Sequence, residues 1–268
     1  MNAFVQHFSF EFRTGIRNKQ LLLMNYLFPL GLYLMMGFIM AEINPPFRED
    51  IIPAMVIFGI LSATLLGIPD PLVNARENGI FRSYKINGIP ALSILVMPAL
   101  TTLLHLVIVA AIITLSAPFL FRAPTPQNWL NFGLVFGVMA FACAGLSVLI
   151  GVVSPSSRMT VLWSQLLFVP SMLLGGLMVP YSLLPVAAGK IAQLLPATQA
   201  MNALNGLAMG KAAAFSPWGS VIALLASGIL AFGLAVYLFR WDSRNAARRG
   251  HPALAALAFL PYVIGMFL

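Results

Sequence analysis

Residues 51–68 read IIPAMVIFGILSATLLGI and residues 69–90 read PDPLVNARENGIFRSYKINGIP. The first stretch has no charged side chain, and its polarity does not alternate as a barrel strand's would. As an α-helix it covers about 27 Å, close to the ~30 Å hydrocarbon core of a bilayer. The second stretch carries Asp70, Arg76, Glu77, Arg82 and Lys85 between prolines and glycines. A chain that leaves an apolar layer, turns in water and goes back gives this order.

The same alternation of long apolar runs and short connectors extends both ways. Further runs lie at Leu21–Ala41, within Ile89–Phe121, and at Phe132–Val153, Thr160–Val179 and Trp218–Phe239. Of the 268 residues 60% are hydrophobic and only 8% charged, against roughly 25% in soluble domains. The mean hydropathy is +0.93. These numbers predict an all-α integral membrane protein with six transmembrane helices over residues 21–245 and no room for a soluble domain. Arg13, Arg17 and Lys19 precede a span of full length with no small-residue cleavage site after it, so the first span is expected to stay rather than to be removed as a signal. Within residues 1–20, Phe4, Phe8, Phe12 and Ile16 recur every fourth position. That spacing predicts an amphipathic elbow helix on the inner leaflet.

The net charge of +8 could suggest a nucleic-acid partner, but its placement argues for lipid and orientation instead. Arg13, Arg17, Lys19, Arg76, Arg82, Lys85, Arg158, Arg240, Arg244, Arg248 and Arg249 fall on one side of a six-span chain. Arg48, Arg122, Lys190 and Lys211 fall on the other. Positive residues concentrate on the cytoplasmic side, so this bias predicts a multi-pass plasma-membrane protein with a cytoplasmic N-terminus.

The third run is longer than a bilayer needs, so part of it must bend or project. The fourth contains Gly133-x-x-x-Gly137 and Ala140-x-x-x-Ala144, the small-residue spacing that lets helices approach closely. Cys143, the only cysteine, is read there as a packing residue. Residues 180–217 are too long for a turn and too apolar for a solvated domain. Pro180, Pro185 and Pro196 cut them into pieces too short to cross, which predicts an external re-entrant helical hairpin. The segment 246–268 combines a basic turn with an apolar tail broken by Pro261, half-inserted or interfacial, with a seventh full span as the alternative.

Catalytic and metal-binding patterns are missing: there is no HExxH, cysteine cluster or Ser-His-Asp set. His105 is the only histidine inside a run; it is either a functional intramembrane group or a neutral residue bonded within the bundle. The acids and arginines sit in loops or at span ends, which argues against ion-coupled transport. GLAMGKA at 206–212 has three residues between its glycines and no Ser/Thr to hold magnesium, so it is not a phosphate loop.

The order of amphipathic helix, two spans, basic loop, three spans, re-entrant segment and sixth span resembles the membrane subunits of ABC-2-type exporters. Two motifs carry the likeness. Arg76-Glu77-Asn78-Gly79 leads to Arg82, Gly88 and Pro90 in the first cytoplasmic loop, and Gly175-Gly176 leads through Pro180 and Pro185 to Leu195-Pro196. The tail after Arg249 lies outside the pattern.

The resemblance implies two copies of the permease, as a homodimer or a heterodimer, with two copies of a separate ATPase that carries the ATP and magnesium. It implies that loop 69–90 couples to the ATPase through Arg76, Glu77, Gly79, Arg82 and Lys85. It places a substrate route between two permeases at the second and fifth spans. Those spans offer Met55, Phe58 and Leu65, facing Gln165, Phe168 and Ser171, an apolar wall suited to a drug, lipid or lipid-linked cargo. A polysaccharide exporter, and a channel or ion-coupled carrier without an ATPase, are the alternatives.

Overall fold

In a computed structural model that describes residues 19–242 and 250–267, every element is helical. The expected elbow helix and Arg244, Arg248 and Arg249 lie outside the described residues. Helix α1 begins at Lys19–Leu22, passes a π-helical turn at Leu23–Leu27 and continues as Phe28–Ile43. α2 is Ile51–Leu61 with a π-turn at Ser62–Leu66. α3 (Pro69–Glu77) and α4 (Ile80–Ile86) form a short hairpin. α5 (Ala91–Phe121), α6 (Trp129–Val153) and α7 (Ser157–Leu174) follow. α8 (Val186–Ala192) and α9 (Pro196–Ala203) precede α10 (Pro217–Leu238). A 3₁₀ stretch at Pro252–Phe259 leads into α11 (Leu260–Gly265).

Five helices among the described residues are long and apolar enough to cross a membrane: Leu23–Met40, Ile51–Glu77, Ala91–Phe121, Trp129–Val153 and Pro217–Leu238. The expected fifth span is the 18-residue helix α7, and it does not join those five. Arg158, Ser164, Gln165 and Ser171 dilute its apolar character. The long third run is one helix of 31 residues with Pro98 and Pro118 inside it. Thr101 Oγ1 donates to the carbonyls of Met97 and Pro98, both at 3.1 Å, within a turn of the proline.

The starts of the helices are written in the sequence. Asn128, Ser156 and Ser216 each accept from a backbone N–H in the first turn of α6, α7 and α10. α2 is the centre of the bundle, packed by α1, α5, α6, α7 and α9, with every residue from 51 to 65 buried. A helix that is apolar all round belongs in such a place. Tyr26 OH meets His105 Nδ1 at 2.7 Å and Tyr33 OH meets Ser116 Oγ at 2.8 Å, fastening α1 to α5. His105 thus takes part in a bond within the bundle.

Among the described residues the most extensive helix packing is that of α6 on α10. A Cβ on Gly145 would lie 3.0 Å from the Gly228 carbonyl, and one on Gly228 would lie 3.1 Å from Ala142 Cα. Ala140 and Ala144 are buried nearby, but Gly133 and Gly137 have nothing within 4 Å of an added Cβ. The close approach expected at Gly133-x-x-x-Gly137 is therefore made further along α6. Cys143 is fully buried beside Met139 Sδ. The tail turns back and packs along α10 and α6, with Ala258 and Tyr262 fully buried. Its fourteen residues span roughly 25 Å by 3₁₀ and α rises, and the stretch is shorter than the five long helices.

Candidate functional site

The α3–α4 hairpin follows directly on α2. Pro69 suits the first helical position and Asp70 the positive end of α3. The helix stops at Glu77 because Gly79 turns the chain at φ +74°, a left-handed conformation that only glycine adopts without strain. α4 stops at Asn87, and Gly88 at φ +72° directs the chain towards Pro90.

Three ties bind this hairpin to the ends of three other helices. Arg76 is only 7% exposed, and its guanidinium donates to the carbonyls of Gly151 (3.4 Å), Val152 (2.9 Å) and Ser154. These are carbonyls that the C-terminus of α6 leaves without intrahelical partners, at the negative end of its dipole. Beside it, Leu72 and the Pro69 carbonyl would each lie 3.1 Å from a Cβ on Gly151, so glycine lets α3 close on α6 without displacing either.

The second tie runs to α7. Asp70 accepts from Asn74 Nδ2 at 2.9 Å and from the Ser157 hydroxyl, which also lies 3.1 Å from Asn74 Oδ1. The third runs to the chain leaving α10. Arg82 Nε donates to Asp242 Oδ2 at 2.9 Å, Lys85 Nζ stands 5.9 Å from the Trp241 ring centre, and buried Phe81 lies 5.6 Å from the Phe239 ring. The hairpin therefore gathers the ends of α6, α7 and α10. Its outward side shows Glu77, Asn78, Ile80 and Ile86, the last 85% exposed.

Of the five residues the sequence assigns to coupling, Glu77, Arg82 and Lys85 are exposed and Gly79 is the turn. Arg76 points inwards and holds α6. Asp70, Asn74, Ser157, Trp241 and Asp242 belong to the same arrangement and were not expected. Asp70 and Asn74 stand four apart on a helix, a readable pairing. Arg82 and Asp242 are 160 positions apart, and no local pattern connects them.

The expected route residues separate. Met55, Phe58, Leu65, Phe168 and Ser171 are all buried inside the protomer, and only Gln165 is exposed. Phe58 and Phe168 pack on each other at 5.8 Å with Phe28 beside them, so they join α1, α2 and α7. Gln165 and Phe168 do not share a face. Gln165 lies with exposed Leu162, Leu166, Val169 and Leu173, and is the one exposed polar side chain between Met159 and Leu174.

At the other end of the bundle, Gly175, Gly176, Pro180, Pro185 and Pro196 each mark a boundary. Gly175 ends α7, Gly176 turns at φ +83°, Pro180 precedes a 3₁₀ turn, Pro185 precedes α8, and Pro196 opens α9. α9 is buried along its whole length against α10, α6, α2 and α7.

A family description, ABC-2 type transporter, matches residues 3–209, more than three quarters of the chain. The chain belongs to that family and is the membrane component of an ABC transporter. Membership implies an ABC ATPase as partner, and the catalysis of such transporters generally lies outside this component. The match ends before α10, so the last span and the tail lie beyond it. No curated protein and no solved structure matches the chain.

Proposed function

We propose that the chain is the permease of an ATP-driven exporter, two copies working with two ATPase subunits, and that the α3–α4 hairpin receives the force. The observation that carries this reading is the three-way tie of the hairpin to α6, α7 and α10. A push on its exposed tip at Glu77, Ile80 and Ile86 reaches four helices at once, because α2 runs directly into α3. A loop that served only topology would need positive charge but no such fastening. In this reading the hairpin end is cytoplasmic, α7 is the fifth of six spans, and the α8–α9 segment is re-entrant from the external face.

The cargo is hydrophobic or amphipathic: a drug, a lipid or a lipid-linked molecule. Its route runs along the outward face of α7, where Gln165 sets one amide among Leu162, Leu166 and Val169. An uncharged polar side chain turned towards hydrocarbon is unfavourable, so a second copy or a cargo is the natural cover. Met55, Phe58, Leu65, Phe168 and Ser171 stand behind that face as its support. Gln165→Leu is then expected to change the ratio of exported compounds with folded protein constant. Phe168→Ala lowers all of them together with folded protein, because it opens a hole in the aromatic cluster. Export of several unlike compounds, normalised to folded protein, separates the two; equal scaling in both variants would remove Gln165 from the route.

The partnership is tested by purification. The chain alone is expected to bind and hydrolyse no ATP, and co-expression with an ABC ATPase should yield a hydrolysing complex. Ile86→Asp and Glu77→Lys, both at exposed positions, should leave the permease folded and lower recovered ATPase about tenfold, the effect of losing ~1.4 kcal/mol of binding. Undiminished recovery in both variants would return the hairpin to a topology loop.

A further inference from the structure

At the end of the bundle away from the hairpin, the last turns of α1 and α5 leave an open groove of about 390 Å³ between them. Phe38 and Glu42 line it from α1, Arg48 from the turn that follows, and Leu120, Phe121 and Arg122 from the end of α5. The apolar stretch of the first span runs to Met40, so Phe38 lies within it while Glu42 and Arg48 lie beyond. The groove therefore crosses from the level of hydrocarbon to that of the headgroups. Its floor is buried Phe121, whose ring stands 5.0 Å from Phe38 and 5.4 Å from Tyr33. A Cβ on Gly37 would overlap that ring, so glycine lets it lie against α1. Phe38 and Leu120 are exposed and give the groove an apolar wall on its hydrocarbon side.

The charges on its other side do not balance. Arg48 Nη2 stands 3.4 Å from Glu42 Oε1, and the side chains are 36% and 80% exposed, so this pair is long and screened. Glu49 and Asp50, the other acids of the same turn, are engaged by Lys211 at 3.5 and 2.8 Å. Arg122 is exposed and has no ion pair among the described residues. Two cations and one anion thus line the groove and leave one positive charge over. Arg122 also ends α5 at φ +56°, and among the described residues no other non-glycine residue has a positive φ. Glycine or asparagine is the usual residue at such a helix end. Arginine accepts strain there, and strain of this kind gathers at sites that bind or switch.

We propose that the groove holds a singly anionic phospholipid of the phosphatidylglycerol type, its phosphate diester between Arg48 and Arg122 and an acyl chain along Phe38 and Leu120. A guanidinium fork matches two phosphate oxygens, and the single charge of the diester cancels the surplus. The glycerol hydroxyls supply donors for Glu42. Phosphatidylcholine carries the same phosphate, but its trimethylammonium group has no N–H to donate and leaves the surplus uncancelled. The site is built on α1 and α5 rather than on α7, and its test omits nucleotide and ATPase.

Full-length chain, stripped of lipid in a neutral detergent, is titrated with dioctanoyl phosphatidylglycerol, dioctanoyl phosphatidylcholine and inorganic phosphate. Bound lipid is counted by native mass spectrometry, and the melting temperature is followed alongside. Phosphatidylglycerol should saturate one strong site per chain and bind roughly tenfold tighter than phosphatidylcholine. Arg122→Gly should lose at least that factor, with the melting temperature of the lipid-free protein held or raised, because glycine takes the left-handed turn freely. Arg158→Gln removes the same charge from an exposed position at the hairpin end and should leave this affinity unchanged. Equal affinity for the two lipids overturns the proposal, as does wild-type affinity in Arg122→Gly or an equal loss in Arg158→Gln. Displacement of the lipid by inorganic phosphate at matched concentration overturns it in favour of a free-anion site. If Arg122→Gly shifts the oligomeric state and leaves bound lipid as it was, the groove belongs to a second copy instead.

Discussion

Arg76→Met is expected to destabilise the folded chain by on the order of 3 kcal/mol and to abolish coupling between hairpin and bundle. Methionine keeps the length and much of the apolar stem, so the loss falls on the head group. That group caps three carbonyls at the end of α6, and hydrogen bonds to a charged donor are each worth about 1.5–3 kcal/mol. One of the three is long, and removing a buried cation also relieves its desolvation, so the sum is cut back. Arg76→Lys should fall between, because an ammonium keeps the attraction to the helix end but loses the planar fork. Arg82→Ala is the contrast. Its bond to Asp242 is exposed on the arginine side, and such pairs contribute about 0–1 kcal/mol. Thermal unfolding of the four proteins in one detergent decides the matter: if Arg76→Met melts with Arg82→Ala, the cap does not hold the hairpin.

The charged loop could be read from sequence because its side chains have no place in hydrocarbon. What could not be read was the division of labour within it. Arg76 and Glu77 are neighbours, and neighbours on a helix point apart, so one faces α6 and the other faces away. The periodicity allowed that conclusion, but it did not say which would be which. The side that α2 turns to its neighbours could not be read for a related reason. Ile51–Leu61 is apolar on every side, so no face can be chosen from composition, and uniform apolarity pointed to the centre of the bundle. α7 was legible as a helix, but its polar residues leave its place in the membrane to the proposed reading. The ion pair at the opposite end was not legible at all, because Asp50 and Lys211 meet across 161 positions.

Gly175→Leu is expected to remove most of the folded protein, while Gly133→Leu removes almost none. Gly175 has φ −75° and ψ 4°, which any residue adopts, so the effect is one of space alone. An added Cβ would lie 2.7 Å from Ala197 Cβ and overlap the Ser171 carbonyl, and neither neighbour has a flexible end to move. α9 would have to lift from the bundle, and α9 is buried along its length. Overpacking costs about 1–3 kcal/mol where side chains can shift, so a leucine against fixed backbone should reach or exceed the top of that range. Gly175→Ala should show the same sign at smaller size. At Gly133 an added Cβ meets nothing within 4 Å, and substitutions at such positions stay near ±0.5 kcal/mol. Monodisperse protein recovered after a heating series measures all three variants. A loss at Gly133→Leu equal to that at Gly175→Leu would mean that α6 packs closely at Gly133 against a surface outside this protomer, and the small-residue spacing would regain the role its pattern suggests.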